Sequence, residues 1–343
     1  MRRQWAVAVL LLGLFVAPAG AEPQTVTVRL VRSLGQAAYY IAVAKGYFAQ
    51  EGITIDSGDI RSALDTIAPL ATGQLDVSLG AATAGFFNAA HRDFDLRVVA
   101  AMGIQGAQMS TTPLVRKALW DDGTIRSARD FRGRKIAINA PGDITEYFLT
   151  LMAEKYGMTP KDIDVTPLAF AEQLAAFRNG AIDAGFLPEP LASVAQLSGS
   201  VALDAPDAGI GEGTITTFMF ASTKFMRERP GVALAFLRAM VRGARDAQGP
   251  YLKDPAIAAS IAQQTGLAVD AIQRSVPYAI DPDLDIAKFI PGLKRQEAVH
   301  RANGRLTYQG ELDFANVIDA GLVHQAAESL EAVGSIGGNA NRH

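Results

Sequence analysis

The segment Gly142-Asp143-Ile144-Thr145 puts an acid where a helix begins, and that pairing bears on the charge a bound molecule can carry. A helix start presents unpaired backbone N–H groups and a partial positive charge, which makes it a ready-made anion site. Asp143 competes for that role: as an N-cap its carboxylate accepts those N–H groups, and it would repel an incoming anion. The helix start Ala82-Thr83-Ala84-Gly85 carries no acid and could still seat an anionic head group. Catalytic constellations are missing. His91, His300, His324 and His343 have no metal-ligand spacing, no G-x-S-x-G occurs, and the chain contains no cysteine. Gly209-Ile210-Gly211-Glu212-Gly213 has the outline of a phosphate loop, but it carries an acid and runs into a strand, so it is expected to be a connection. The expectation is a binding protein with no catalytic residue, no cofactor and no metal.

The elements that must position these residues repeat themselves. Leu70-Ala71-Thr72-Gly73-Gln74-Leu75-Asp76-Val77-Ser78-Leu79 is echoed by Phe177-Arg178-Asn179-Gly180-Ala181-Ile182-Asp183-Ala184-Gly185-Phe186. Each copy predicts a helix end, a glycine stop and a buried strand. Before the first copy the pattern predicts a strand over 26–31, a helix over 37–50, a strand over 53–55 and a helix over 63–71. The strand 75–79 follows, then a helix, then a strand over 96–102. The second copy closes a similar series: strand 135–139, helix 143–156, strand 165–168, helix 171–178, strand 182–187. Pro190 is expected in the first turn of the next helix. A returning strand follows over 214–222, and residues 229–330 read as helical with breaks at 249–250, 281–282 and 304. The fold class is α/β: two Rossmann-like lobes joined by a hinge that the chain crosses twice, near 106–112 and 213–220. Lobe 1 comprises 22–108 plus 218–332 and lobe 2 comprises 109–217, with a flexible tail over 333–343.

In open α/β sheets ligands sit beyond the carboxyl ends of the strands. That points to the loops 33–40, 80–88, 140–147, and 170–172 with 187–189. The candidate ligand-binding residues there are Ser33, Gln36, Tyr40, Thr83, Phe87, Asn88, Gly142, Asp143, Ile144 and Glu189. Adjacent aromatics on a helix point to different sides, so Tyr40 of Tyr39-Tyr40 and Phe87 of Phe86-Phe87 are assigned to the cleft, against a core-packing alternative. Gln36 and Asn88 would orient a polar group or act as loop caps. Glu189 is a ligand contact or a cap beside Pro190. Asp143 is a cap, a ligand contact or both.

Composition restricts the setting. The net charge is −3 and the basic residues are scattered, which does not fit nucleic acid. Arg2 and Arg3 precede an uncharged apolar run over 6–17 and then Pro18-Ala19-Gly20-Ala21, the layout of a secretory signal peptide over 1–21. Export without cysteine demands a hydrophobic core, and a chain of 343 residues with 49% hydrophobic composition can build one. The expected location is the periplasm.

Three segments carry a resemblance to a known family. Tyr40 to Ile53, with Lys45-Gly46-Tyr47-Phe48 and Glu51-Gly52, is similar to the "A…KGYF..EG" pattern of the nitrate/sulfonate/taurine and thiamine-precursor binding proteins of ABC transporters (SsuA/THI5-like, NMT1-like). Asp130-Phe131-Arg132-Gly133-Arg134-Lys135-Ile136-Ala137 resembles "DL.GK.IA", and Gly180-Ala181-Ile182-Asp183-Ala184 with Glu189-Pro190 resembles "G.IDA….EP". The resemblance implies the type II periplasmic binding protein fold and a small-molecule solute, a sulfonate/taurine-like anion or a pyrimidine/amide-like neutral molecule. It also implies delivery to an ABC transporter permease at the inner membrane by a monomer. A ligand sensor that presents its bound solute to a membrane kinase is the alternative. Sulfonate binders of the family often carry Gly-Ser or Gly-Thr where this chain has Gly142-Asp143, which weakens a sulfonate assignment. The related pyrimidine-forming enzymes rely on a Cys-rich motif that is absent here.

Overall fold

The structure, a computed structural model, describes residues 23–203 and 209–340, with side chains described to 332. The signal peptide expected over 1–21 lies outside the described residues.

Two five-stranded sheets carry the molecule, and they share one plan. In the first, the spatial order is Ile53–Asp59, Gln24–Leu30, Val77–Gly80, Phe218–Ser222, Leu96–Ala101. The first three strands are parallel, and Phe218–Ser222 runs antiparallel to both of its neighbours. In the second, the order is Asp164–Pro167, Lys135–Ile138, Ala184–Pro188, Thr111–Val115, Val201–Ala202. Here too the first three are parallel and Thr111–Val115 is antiparallel to its neighbours. Each antiparallel strand lies beside a crossing between the sheets. The two crossings run side by side: Met102 N–H donates to Thr217 O at 2.9 Å, Gln105 N–H to Thr214 O at 2.8 Å, and Thr216 N–H to Gly103 O at 2.8 Å.

The strands form where the sequence places apolar runs with turn signals. Val26, Val28 and Leu30 are buried in alternation with Thr27 and Arg29, and both faces of Val77–Gly80 and Ala184–Pro188 are buried. The repeated glycines end their helices in the same way: Gly73 and Gly180 take φ of 69° and 73°, a region in which a side chain would clash with its own backbone. The helix predicted over 37–50 is broken. Gly46, at φ 67°, separates Ala37–Ala44 from Tyr47–Gln50. The returning strand is shorter than predicted, Phe218–Ser222, because residues 213–217 are spent on the crossing. Pro190 stands at the N-cap position of Leu191–Leu197 rather than inside its first turn.

The C-terminal helices cover the first sheet and reach the second. Helix Pro230–Asp246 packs so closely on Ala37–Ala44 that a Cβ on Gly243 would lie 2.1 Å from Ala38 O. Residues 303–320, read as part of a helical stretch, hold only a short 3-10 turn at Phe314–Asn316. The last helix is Gly321–Ala340, so it includes most of the segment expected to fray. Among the described residues, no helix is long and apolar enough to cross a membrane.

Candidate functional site

A cavity of about 30 Å³ lies between the carboxyl ends of the two sheets. By the measure in which one water needs roughly 10–15 Å³, it has room for a compact head group. The first sheet contributes Ser33 and Gln36, and the second contributes Asn139, Asp143 and Ile144. The crossings add Thr111, Thr216 and Thr217, and Tyr278 enters from the C-terminal segment. Cross-sheet hydrogen bonds close the cavity. Leu34 N–H donates to Glu189 O at 2.8 Å, Ala84 N–H to Gly142 O at 2.8 Å, and Asn139 Nδ2 to Arg61 O at 3.3 Å.

Asp143 caps Ile144–Lys155, accepting from Thr145 N–H at 3.3 Å and from Asn139 Nδ2 at 3.2 Å. Burial pushes its carboxyl above the usual carboxylate range, opposed by the hydrogen bonds from Asn139, Thr145, Ile144 and Ser62. Among the described residues it is the one charged side chain lining the cavity. Two buried oxygens lining the cavity, one from each sheet, have no hydrogen-bond partner: Gln36 Oε1 and Asn139 Oδ1. The orientation of the Asn139 amide follows from its neighbours, because Nδ2 faces two acceptors, Arg61 O and the Asp143 carboxylate.

Several helix-start donors around the cavity are already spent on protein oxygens. Ala84 N–H goes to Gly142 O and Phe86 N–H to Thr83 Oγ1 at 3.2 Å. Gly35 N–H goes to Ser33 Oγ at 2.9 Å, and Gly142 N–H to Glu146 Oε2 at 2.7 Å. At the anion seat expected over Ala82-Thr83-Ala84-Gly85, the Ala84 N–H is therefore taken by the facing lobe, and the following Phe86 N–H by the Thr83 cap.

Of the candidate residues, Ser33, Gln36, Asp143 and Ile144 line the cavity together. Six do not, each for a visible reason. Tyr40 is packed in the first core against Tyr39, with ring centroids 5.8 Å apart. Phe87 is buried among Phe86, His300 and Phe314. Both follow the core alternative, because each helix lays its aromatic pair against a sheet and further helices. Asn88 anchors the C-terminal segment, accepting from Thr307 N–H at 2.8 Å and donating to Arg305 O at 3.1 Å. Glu189 is turned into a buried cap, accepting from Ser193 N–H at 3.0 Å and Val276 N–H at 3.2 Å, with burial raising its carboxyl above the ordinary range. Thr83 caps its helix, and Gly142 forms the lobe contact, where a Cβ would come within 2.6 Å of Ala84 Cβ.

Asn139, Tyr278, Thr111, Thr216 and Thr217 were not among the candidates. Asn139 ends an apolar strand and had a signal in that position. Tyr278 had none, being remote in sequence from every other lining residue. A wider groove of about 450 Å³ adjoins the cavity, sharing Val31 and Phe170 with it. Its lining is mostly apolar and also includes Arg61, Glu172 and the Arg32–Asp59 ion pair.

Glu146, buried beside this cavity, receives Arg305 Nε at 3.0 Å as well as Gly142 N–H. His300, on Ile290–Ala302, lies between the two helix starts, and burial lowers its imidazole to about 4.

Comparison with known proteins agrees with this architecture. A family model described as NMT1/THI5 like matches residues 35–250. The taurine-binding periplasmic protein of Escherichia coli strain K12 is 24% identical over 236 residues, covering 68% of this chain and 69% of that protein. The structure of the periplasmic aliphatic sulphonate binding protein SsuA from Escherichia coli superposes with a TM-score of 0.69 at 18% identity, covering 87% of this chain and 92% of that one. The periplasmic nitrate-binding protein NrtA from Synechocystis PCC 6803 gives a TM-score of 0.73 at 15% identity, covering 90% of both chains. The chain has the type II periplasmic binding protein fold and belongs to the NMT1/THI5-like family.

Proposed function

We propose that this protein is the periplasmic solute-binding component of an ABC importer, capturing a small organic solute between two lobes and delivering it to a permease. The observation that carries the reading is the cavity at the junction of the sheets, walled by both of them and bridged by Leu34–Glu189, Ala84–Gly142 and Asn139–Arg61. Paired backbone segments at the crossings form a hinge about which lobes 22–108 plus 218–332 and 109–217 would open. A solute that contacts both lobes stabilises the closed form over the open one. The relatives named as periplasmic binders of taurine, sulphonates and nitrate support the same role. The binding residues are Ser33, Gln36, Asn139, Asp143, Ile144 and Tyr278, the protein acts as a monomer, and it catalyses no reaction.

A thermal-shift screen of the mature chain against sulfonates, amides, pyrimidines, small carboxylates and amines tests this. A cognate solute at 100 times its Kd adds about 2.7 kcal/mol and raises the melting temperature. A flat response across the whole screen would remove the solute-binding assignment.

A further inference from the structure

We propose that the end of the ligand buried between the lobes is a protonated nitrogen, so that the solute is an organic ammonium ion with an apolar body. This rests on the solute-binding reading above. The inner cavity offers acceptors. Gln36 Oε1 and Asn139 Oδ1 are buried without partners, both residues are 1% exposed, and both line the cavity beside the Asp143 carboxylate. A buried acceptor left unpaired costs stability, and an ammonium supplies up to three N–H donors to a wall of this kind.

The charge balance points the same way. Among the described residues no lysine or arginine lines the cavity, so an oxyanion would meet no lysine or arginine there and would face Asp143. Five backbone donors near the cavity are also spent: the Ala84, Phe86, Gly35, Gly142 and Thr145 N–H groups are committed to protein oxygens. The hydroxyls of Ser33 and Thr217 can turn to either role and do not favour an anion over a cation, and the Tyr278 O–H is committed to Ser110 O at 3.0 Å.

The groove that meets the cavity at Val31 and Phe170 defines the other end. Val31, Ile60, Phe170, Leu174, Leu191 and Leu267 give it an apolar wall suited to an aromatic or branched aliphatic body. Head and body would thus occupy adjoining spaces, both walled by the two lobes, with the polar group in the inner one.

Benzylammonium, benzyl alcohol and phenylmethanesulfonate carry the same body and differ in head charge. Titrated calorimetrically into the mature protein, the ammonium should bind at least tenfold tighter than either of the others. Asp143→Asn should reduce that preference by tenfold or more, and Gln36→Met should weaken the ammonium several-fold. Phe170→Ala should weaken all three probes alike. If the sulfonate binds as well as the ammonium, the buried-nitrogen assignment is wrong while solute capture stands. If none of the three binds, the assignment also falls, and the broader solute screen decides capture separately. Should Asp143→Asn fail to fold, the order of the three probes on the unaltered protein still decides.

Discussion

The two copies of the helix–glycine–strand unit do the same work, whereas the helix starts that follow them do not. Asp76 accepts from Thr27 N–H at 2.9 Å and pairs with Arg229; Asp183 accepts from Lys135 N–H at 3.1 Å and pairs with Arg116 at 3.0 Å. In each sheet the acid ties its own strand to the parallel strand beside it and to an arginine from elsewhere in the chain. The helix starts diverge. Ala84–His91 has the neutral cap Thr83, with Phe86 at its third position packed on Phe220. Ile144–Lys155 has the acidic cap Asp143, with Glu146 at its third position bound to Arg305 and Gly142. The lesson is that the repeat builds the scaffold, and the difference between the lobes is one of charge at the cleft.

Removing that charge asymmetry should have the largest effect on stability. Glu146→Ala leaves the Arg305 guanidinium without its carboxylate and Gly142 N–H without an acceptor, and it should cost about 3 kcal/mol in urea denaturation. A loss below about 1 kcal/mol would mean that the acidic helix start is a surface ornament. The equivalence of the two copies is sharpened by comparing Asp76→Ala with Asp183→Ala. Each should destabilise by roughly 2 kcal/mol, with Asp76 the costlier because its side chain is 11% exposed against 21%. Losses that differ several-fold, or that fall in the opposite order, would show that the copies are alike only in sequence. The smallest effect is expected at the neutral start. Thr83→Ala removes one cap hydrogen bond, and thermal unfolding should report about 1 kcal/mol; a null result would mean that the Gly142 contact alone holds that helix end.

Much of the fold was legible because its signals are local. The glycine stops at 73 and 180, the apolar strand runs and the acid at 143 each depend on neighbours within a few positions. The shorter returning strand was not legible, since residues 213–217 pair with the other crossing rather than with the sheet. Half-right positions are equally instructive. For Tyr39-Tyr40 and Phe86-Phe87, helical geometry separates the two rings, but it cannot say that further helices cover both sides. Glu189 reads from the sequence as a ligand contact or a cap beside Pro190, and the partner that turns it inward, Val276, comes from 87 residues away.

The sequence by itself determined that there are two lobes on one plan, and that one helix beside the cleft begins with an acid. Only the tertiary structure decided that the Ala84 N–H is spent on the facing lobe, and that Asn139 and Tyr278 join Gln36 and Asp143 around one cavity. Caps and strands are decided by short-range sterics and hydrogen bonding. A cavity between lobes is decided by which side chains the closed packing brings together, and that information is spread over the whole chain.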